Sequence, residues 1–242
     1  MYLSVIIPAY NEAERIGKTL YAVSDYFRTA LYKYEIIVVN DGSADATQEI
    51  VNELTVSIPY LTQISYTQNR GKGWAVKQGM LKAKGKYRLF MDADNSTAIK
   101  YVEELLREAE TSDVVIGSRR ISGARITLSQ PLYREFLGYV FRALVHAIVP
   151  LDVSDSQNGF KLFTAEAAEI IFRRQRISRW AFDVEILALA HLFGYTTCEL
   201  PIVWANDKRS RVTFLGMIHM FFEVVAIRIN LWCGVYYTLP PL

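Results

Sequence analysis

Residues 87–94 read Tyr87-Arg88-Leu89-Phe90-Met91-Asp92-Ala93-Asp94. The first five of them form a short apolar run after Gly85, which predicts a buried strand. If the chain stays extended beyond this strand, Asp92 and Asp94 point the same way and repel each other. Mg²⁺ would relieve that repulsion, because it prefers one or two carboxylates together with phosphate oxygens and water. The stretch therefore predicts a strand ending at a divalent-cation site, although a solvated Asp-rich turn is the simpler alternative for these residues alone.

The segments on both sides of this stretch alternate between strand and helix. Apolar runs predict strands at residues 3–8, 35–39, 62–66, 87–91 and 114–116. Asn11, with Glu14 three residues later, is the predicted N-cap of the first helix, and further helices are predicted near residues 45–54, 73–84 and 98–110. The alternation predicts an α/β fold, Rossmann-like, with a mostly parallel sheet and helices on both faces.

Polar residues follow five of these strands. The clusters occupy residues 8–12, 40–43, 69–73, 92–94 and 117–119. Ligands of parallel sheets bind beyond the carboxyl ends of the strands, so five clusters on one edge favour a nucleotide site over ordinary turns. A dinucleotide-binding domain fits poorly, because the first turn lacks the G-x-G-x-x-G pattern.

The second half of the chain is less regular. A helix is predicted at residues 129–149, a polar loop begins at Asp155, another helix opens near Trp180, and a strand covers residues 200–204. Residues 213–237 are strongly apolar but interrupted by charged or polar side chains. This last segment and residues 129–149 are predicted to be amphipathic helices that lie in a membrane interface, form part of the core, or form a dimer interface.

Composition excludes several classes of protein. The chain has 242 residues, of which 51% are hydrophobic and 21% charged, so we expect a folded protein. A net charge of +2 argues against a nucleic-acid-binding protein. Three acid-free basic runs, at residues 70–88, 119–134 and 173–179, are typical of solvated faces but also suit an anionic ligand or membrane surface.

Cysteine usage and hydropathy bear on the compartment. Cys198 and Cys233 lack metal or redox spacing, which indicates a reducing compartment. The chain enters a strand at once, and it contains no uncharged apolar stretch of about 18 residues, so neither a signal segment nor a spanning helix is expected.

Several motifs together resemble a known family. Ser4-Val5-Ile6-Ile7-Pro8-Ala9-Tyr10-Asn11-Glu12, Val38-Val39-Asn40-Asp41-Gly42-Ser43, the Asp92-Ala93-Asp94 motif and Gly117-Ser118-Arg119 resemble the family-2 glycosyltransferases of GT-A fold. Asn69-Arg70-Gly71-Lys72-Gly73, Asp155-Ser156-Gln157-Asn158-Gly159-Phe160 and Arg179-Trp180-Ala181-Phe182-Asp183-Val184-Glu185 are similar to the dolichyl-phosphate β-glucosyltransferase branch, a sister of dolichyl-phosphate mannose synthase. The resemblance runs from about residue 3 to residue 211.

The resemblance implies roles for matching positions. The residues implied in nucleotide-sugar binding are Pro8, Tyr10, Asn11, Glu12, Asp41, Lys72, Asp92, Ala93 and Asp94. Within this set, Asp41 would accept a hydrogen bond from the base, and Asp92 and Asp94 would hold Mg²⁺ or Mn²⁺. The residues implied in catalysis are Asp92, Asp94, Asp155 and Arg119.

A second group of residues is expected on the acceptor side. Arg119, Arg134, Ser210 and Arg211 are the candidates for phosphate binding, although relatives have Lys where this chain has Arg211, which changes the geometry. Trp180, Asp183 and Glu185 are candidates for orienting the sugar. The two acids equally suit the first turn of a helix, where negative charge is favourable.

The resemblance implies an inverting hexosyltransferase that moves glucose from UDP-glucose onto a polyprenyl or dolichyl phosphate. GDP-mannose as donor and a non-catalytic nucleotide-sugar-binding module stay open, and a nucleotidyltransferase is disfavoured because its Gly-rich first turn is missing. Residues 1–128 are expected to bind the nucleotide sugar, residues 129–211 to form the acceptor side of the same domain, and residues 212–242 to form an apolar helix. Peripheral association with the cytoplasmic face of a membrane is expected, and a homo-oligomer is compatible with the apolar stripes.

Overall fold

The structure, a computed structural model, describes residues 1–128, 132–205 and 214–240. The strands are β1 (Leu3–Ala9), β2 (Tyr34–Asp41), β3 (Leu61–Tyr66), β4 (Tyr87–Met91), β5 (Val114–Ser118), β6 (Arg125–Leu128), β7 (Phe160–Thr164), β8 (Thr197–Pro201) and β9 (Val203–Ala205). The α-helices are α1 (Ile16–Phe27), α2 (Thr47–Ser57), α3 (Lys72–Lys82), α4 (Val102–Glu108), α5 (Leu132–Ile148), α6 (Ala165–Arg174), α7 (Phe182–Leu192) and α8 (Phe214–Trp232). Short 3₁₀ turns cover Ile99–Tyr101 and Val235–Tyr237.

The main sheet has seven strands in the order β3-β2-β1-β4-β7-β5-β8. Neighbouring strands run parallel except β7, which is antiparallel to both β4 and β5. The prediction of a mostly parallel sheet is confirmed, and strands from both halves of the chain share it. A second sheet of two strands pairs β6 with β9.

The core lies on both faces of the main sheet. Strand β1 is buried along its whole length, as expected for a parallel strand covered on both sides. Its side chains alternate between two clusters: Leu3, Val5 and Ile7 pack with α1 and α4, whereas Ile6 packs with α3, α6 and α7. This arrangement confirms the prediction of helices on both faces.

Two local predictions were wrong. Helix α1 begins at Ile16 rather than after Asn11, because Asn11 adopts a positive φ of 53° and its side-chain oxygen accepts a hydrogen bond from Ala44 N (2.7 Å). The single strand predicted at residues 200–204 is two strands, β8 and β9, which belong to different sheets. Buried Ile202 separates them. In both cases, contacts with distant residues overrode the local pattern.

Helices α5 and α8 correspond to the predicted amphipathic segments. Their apolar sides meet α7 in a third cluster that contains Val145, Val184, Val224 and Ile227. Across the described ranges, no helix has both the length and the apolar character needed to cross a membrane. The third cluster shows that one side of α5 and one side of α8 pack on protein.

Candidate active site

The loops after β1 and β2 are tied to each other at the carboxyl edge of the sheet. Asn11 N donates to Ser43 Oγ (2.9 Å), and Glu12 N donates to Thr47 Oγ1 (2.7 Å). Pro8 is buried in β1, and Tyr10, which directly follows this strand, is 40% exposed. The nucleotide-binding positions implied for the first turn thus lie on a loop of defined conformation.

Asp41 ends β2 and organises the loop that precedes α3. Its carboxylate accepts hydrogen bonds from Asn69 Nδ2 (3.0 Å), Arg70 N (3.0 Å) and Gly71 N (2.7 Å). Burial raises the pKa of Asp41, and the hydrogen bonds from the backbone of Arg70 and Gly71 oppose the shift. A carboxylate has about four lone-pair sites, so the engaged Asp41 retains limited capacity for a base N–H.

The two aspartates, Asp92 and Asp94, follow the end of β4, which is the direct neighbour of β1 in the sheet. Asp92 N donates to Gly159 O (3.1 Å), and the backbone oxygen of Ala93 accepts from Thr19 Oγ1 (2.7 Å). Asp94 Oδ1 accepts from Ser96 N (2.9 Å). Three hydrogen bonds therefore hold the Asp92-Ala93-Asp94 motif.

Lys72 links the two acidic parts of the edge. Its Nζ lies 2.5 Å from Asp92 Oδ1, while the adjacent Gly71 donates to Asp41. Since β2 and β4 flank β1, and neighbouring strands are about 4.8 Å apart, Asp41 and Asp92 lie on the same edge of the sheet, roughly 10 Å apart across the strands. Burial lowers the pKa of Lys72, but the carboxylates of Asp92, Asp183 and Asp94 outweigh it and raise this pKa overall.

The charges around Asp94 suit a divalent cation. Burial raises the pKa of Asp94, and the neighbouring Asp92 raises it further, so the anionic form lacks sufficient positive charge around it. Within the described residues, no cluster of three or more His, Cys, Asp or Glu side chains could form a complete protein-only metal site. Mg²⁺ commonly takes one or two carboxylates and fills its remaining positions with substrate phosphates and water, so the pair fits this role.

A buried ion pair lies behind the aspartates. Lys161 on β7 is fully buried, contacts the carboxylate of Asp183 and donates to Asn158 O (2.5 Å). Burial lowers the pKa of Lys161 and raises that of Asp183, and their mutual attraction opposes both shifts. Asp183 was a candidate for orienting the sugar, and its carboxylate is already paired. Sequence reasoning missed Lys161, because nothing in the apolar run around this lysine indicates that it will pair with Asp183.

Arg119 and Asp155 form a second buried pair. Arg119 Nε and Nη2 donate to the two Asp155 oxygens (2.7 and 2.8 Å), and Arg119 N also donates to Asp155 Oδ2 (2.9 Å). Burial disfavours the charged form of Asp155, but the Arg119 contacts outweigh it and lower the pKa. The guanidinium also lies 5.0 Å from the centre of the Trp204 ring. The structure thus brings these two predicted catalytic residues together.

Replacing Asp155 by Asn is expected to destabilise the protein by about 3–5 kcal/mol, because it leaves the largely buried Arg119 charge without its partner. Urea unfolding at pH 7 measures this free energy. The folded pKa of Asp155 is lowered, so the pair stabilises the protein above the ordinary carboxyl pKa, and this contribution is lost as pH falls through the folded pKa. Asp25→Asn, at a side chain that is 64% exposed, should change stability little; a loss of similar size there would contradict the explanation.

A further arginine near this pair was not identified from the sequence. Burial lowers the pKa of Arg142 on α5, and the charges of Arg120 and Arg119 lower it further, while Asp155 opposes them. The guanidinium groups of Arg119, Arg120 and Arg142 thus lie close enough to repel one another, and a bound anionic group would relieve this repulsion.

The remaining candidates have different surroundings. Trp180 is partly buried, with Lys72 Nζ 6.0 Å from its ring centre. Glu185 is fully buried, and its oxygens accept from Arg176 N (3.0 Å), Ile177 N (2.8 Å) and Tyr236 Oη (2.7 Å). These contacts assign Glu185 to the protein interior, and we leave it out of the set proposed to orient the sugar. Ser210 and Arg211 lie outside the described residues, and for Arg134 the structure describes only its position in α5.

Solved structures share this fold. Glucosyl-3-phosphoglycerate synthase from Mycobacterium tuberculosis in complex with UDP superposes with a TM-score of 0.66 at 17% identity, covering 99% of this chain and 81% of that one. TarS 1–349 of S. aureus with UDP gives 0.62 at 16% identity, covering 95% and 66%. These likenesses show that the chain has the GT-A fold.

Sequence comparison places the chain more narrowly. Residues 4–172 match the profile of glycosyl transferase family 2, and the chain belongs to this family. It is 36% identical to dolichyl-phosphate beta-glucosyltransferase of Dictyostelium discoideum, over 98% of this chain and 76% of the relative. The Saccharomyces cerevisiae protein of the same name is 35% identical, over 98% and 77%, and the Homo sapiens protein 31%, over 97% and 77%.

Proposed function

We propose that this enzyme transfers glucose from UDP-glucose to the phosphate of a dolichyl or other polyprenyl phosphate. The observation that carries the proposal is the joint position of Asp92, Asp94 and Lys72 at the edge of the sheet that also carries Asp41. The relatives named above support the choice of glucose and of a polyprenyl phosphate, because all three are named for glucosyl transfer to dolichyl phosphate.

The donor would lie along the carboxyl edge. In the proposed arrangement, the loop of Tyr10, Asn11 and Glu12 and the Asp41 carboxylate contact the nucleoside, and the Asp92-Ala93-Asp94 motif lies beside the ribose and diphosphate. A Mg²⁺ or Mn²⁺ ion held by Asp92 and Asp94 would neutralise the diphosphate when bound; one of the neighbouring structures contains Mn²⁺ and UDP. Lys72 adds a fixed positive charge that needs no metal.

The acceptor needs positive charge more than it needs a base. A phosphate monoester has a second pKa near 6, so it is largely dianionic at pH 7. One of its oxygens attacks the anomeric carbon, the bond from that carbon to the donor diphosphate breaks, and its electron pair leaves with UDP, so the configuration inverts. The guanidinium groups of Arg119, Arg120 and Arg142 would hold the incoming phosphate against repulsion from the donor. Asp155 keeps Arg119 in place.

The polyprenyl tail requires a hydrophobic surface. Helices α5 and α8 and the following turn expose large apolar side chains: Tyr139, Val140, Leu144, Ile218, Phe221, Phe222, Ile229, Trp232 and Tyr237. Single exposed apolar residues are ordinary, but several on two helices in contact make a surface suited to a bilayer interface. We include peripheral binding to a membrane in the proposal.

Co-sedimentation with liposomes tests the membrane surface. We expect the wild-type protein to sediment with vesicles that contain anionic lipid, and Phe222→Ser/Trp232→Ser to stay largely in the supernatant, because each of these side chains is more than 60% exposed and contributes apolar area. Leu31→Ser, at an exposed apolar residue in the loop between α1 and β2, is the matched control. Equal recovery of wild type with and without lipid would remove this part of the proposal.

A donor panel tests the transfer itself. UDP-glucose, UDP-galactose and GDP-mannose, each radiolabelled in the sugar, are incubated with polyprenyl phosphate, and label is followed into the organic phase with and without EDTA. We expect label from UDP-glucose and its loss with EDTA. Label from GDP-mannose alone would make the enzyme a mannosyltransferase, and donor binding without transfer would favour a non-catalytic module.

A further inference from the structure

The helix that carries Lys72 receives its N-terminal cap from a distant segment. The first N–H groups of a helix have no partner within it, and the residue before α3 is Gly71, which has no side chain to supply one. Gly73 N instead donates to Arg179 O (3.3 Å) and Trp74 N to Ser178 O (2.9 Å). We call residues 175–179 the strap.

The strap and the first turn of α3 fit without spare room. Gln175 Nε2 donates to Gly73 O (2.9 Å), and Lys77 Nζ donates to Gln175 O (2.7 Å). A Cβ atom at Gly71, where φ is 108°, would lie 2.5 Å from Ser178 O. A displacement of the strap must therefore displace the turn that holds Lys72.

Glu185 holds the strap from its other side. Its buried carboxylate accepts from the backbone N–H groups of Arg176 and Ile177, at 3.0 and 2.8 Å. Two backbone donors on one carboxylate fix the local chain direction, and a buried acceptor that loses a donor is costly. Glu185 thus sets the position of the strap.

The turn at Val235–Tyr237 completes the connection. Tyr236 is fully buried, and its Oη donates to Glu185 Oε1 (2.7 Å). Arg176 Nη2 donates to Val235 O (3.0 Å). Two separate hydrogen bonds therefore join the segment after α8 to the group that holds the strap and to the strap itself.

We propose that Tyr236 and Glu185 are positioning residues, which act through the strap to hold the first turn of α3 and so keep Lys72 against Asp92. Neither residue is assigned a contact with substrate. The kinetic consequence rests on the proposed glucosyl transfer, whereas the consequence for backbone hydrogen bonds of α3 does not.

Tyr236→Phe tests the connection because it removes the hydroxyl and keeps the buried ring. We expect amide hydrogen exchange in peptides covering residues 69–78 to accelerate about tenfold, and kcat to fall by about the same factor, as befits the loss of one hydrogen bond. Tyr21→Phe is the control, since Tyr21 on α1 is 52% exposed and lies outside the proposed site. It should leave both quantities unchanged.

A double-mutant cycle distinguishes an effect of Tyr236 on the position of Lys72 from a general loss of rigidity in the protein. If Tyr236 acts through Lys72, the fall in kcat caused by Tyr236→Phe should disappear in the Lys72→Met background, where the placed charge is already gone. Equal factors in the two backgrounds would overturn the proposal. So would unchanged exchange in residues 69–78 of folded Tyr236→Phe protein.

Arg176→Met provides a second test of the connection in case Tyr236→Phe folds poorly. Arg176→Met removes the hydrogen bond to Val235 O and leaves the Arg176 backbone N–H for Glu185, and we expect the same two effects in weaker form. If the wild-type enzyme transfers no glucose, the proposed function fails, and the exchange rates of residues 69–78 still decide whether the connection exists.

Discussion

Asp94→Asn is expected to lower kcat for glucosyl transfer by about 10²–10³-fold, the range seen when one preorganised electrostatic contact to a transition state is removed. Asn keeps the shape of the side chain but removes the charge that a divalent cation needs. Because the pKa of Asp94 is raised by burial and by Asp92, the substitution should not destabilise the fold. Initial rates across a Mg²⁺ and Mn²⁺ titration, with EDTA as the metal-free limit, measure the effect.

The matched control is Asp25→Asn, which removes one charge at an exposed ion pair with Arg28. It should keep full activity and the wild-type metal dependence. Unchanged activity in Asp94→Asn would instead remove Asp94 from the metal site and leave Lys72 as the main charge beside the diphosphate.

Gly159→Ala is expected to lower activity by at least about 10²-fold while the protein stays folded. A Cβ atom at this position would fall far inside van der Waals contact with the Asp92 carboxylate, so that carboxylate must move. Misplacement of a reacting or binding group by about 1 Å can cost this factor. Steady-state rates and thermal unfolding, measured on the same preparation, separate the two effects.

Gly17→Ala is the control for that substitution. Gly17 lies inside helix α1, and a Cβ atom there would make an ordinary contact with Ile50 Cγ2 at 3.8 Å. We expect unchanged activity and an increase in stability of up to about 1 kcal/mol, because Ala is the better helix former. If Gly159→Ala were as active as Gly17→Ala, the close fit between residue 159 and Asp92 would have no bearing on catalysis.

The strand and helix pattern of the first half was predictable because its cause is local. Strand β1 is apolar except for Ser4, and α3 ends before Gly85, so period and turn chemistry were enough. The same reasoning failed at Asn11, where hydrogen bonds to residues more than thirty positions away determine the backbone. It also missed β6, whose pairing partner β9 is distant in the sequence.

The candidate site shows the same division. The sequence predicted that Asp92 and Asp94 follow a strand, since the two carboxylates come directly after an apolar run. Their surroundings were not, because nothing near Lys161 in the sequence indicates that Asp183 will neutralise it, or that Arg119 will bind Asp155. Glu185, next to Asp183 in one motif, faces the strap and Tyr236.

The sequence by itself determined the order of strands and helices from β1 to β5, the edge at which polar residues collect, and the acidic pair at the end of β4, since each depends on residues a few positions apart. Only the tertiary structure decided which charges are paired, where the antiparallel β7 enters the sheet, and what caps α3. These features are contacts between residues far apart in the chain. They follow from the packing of whole elements and leave no periodic pattern along it.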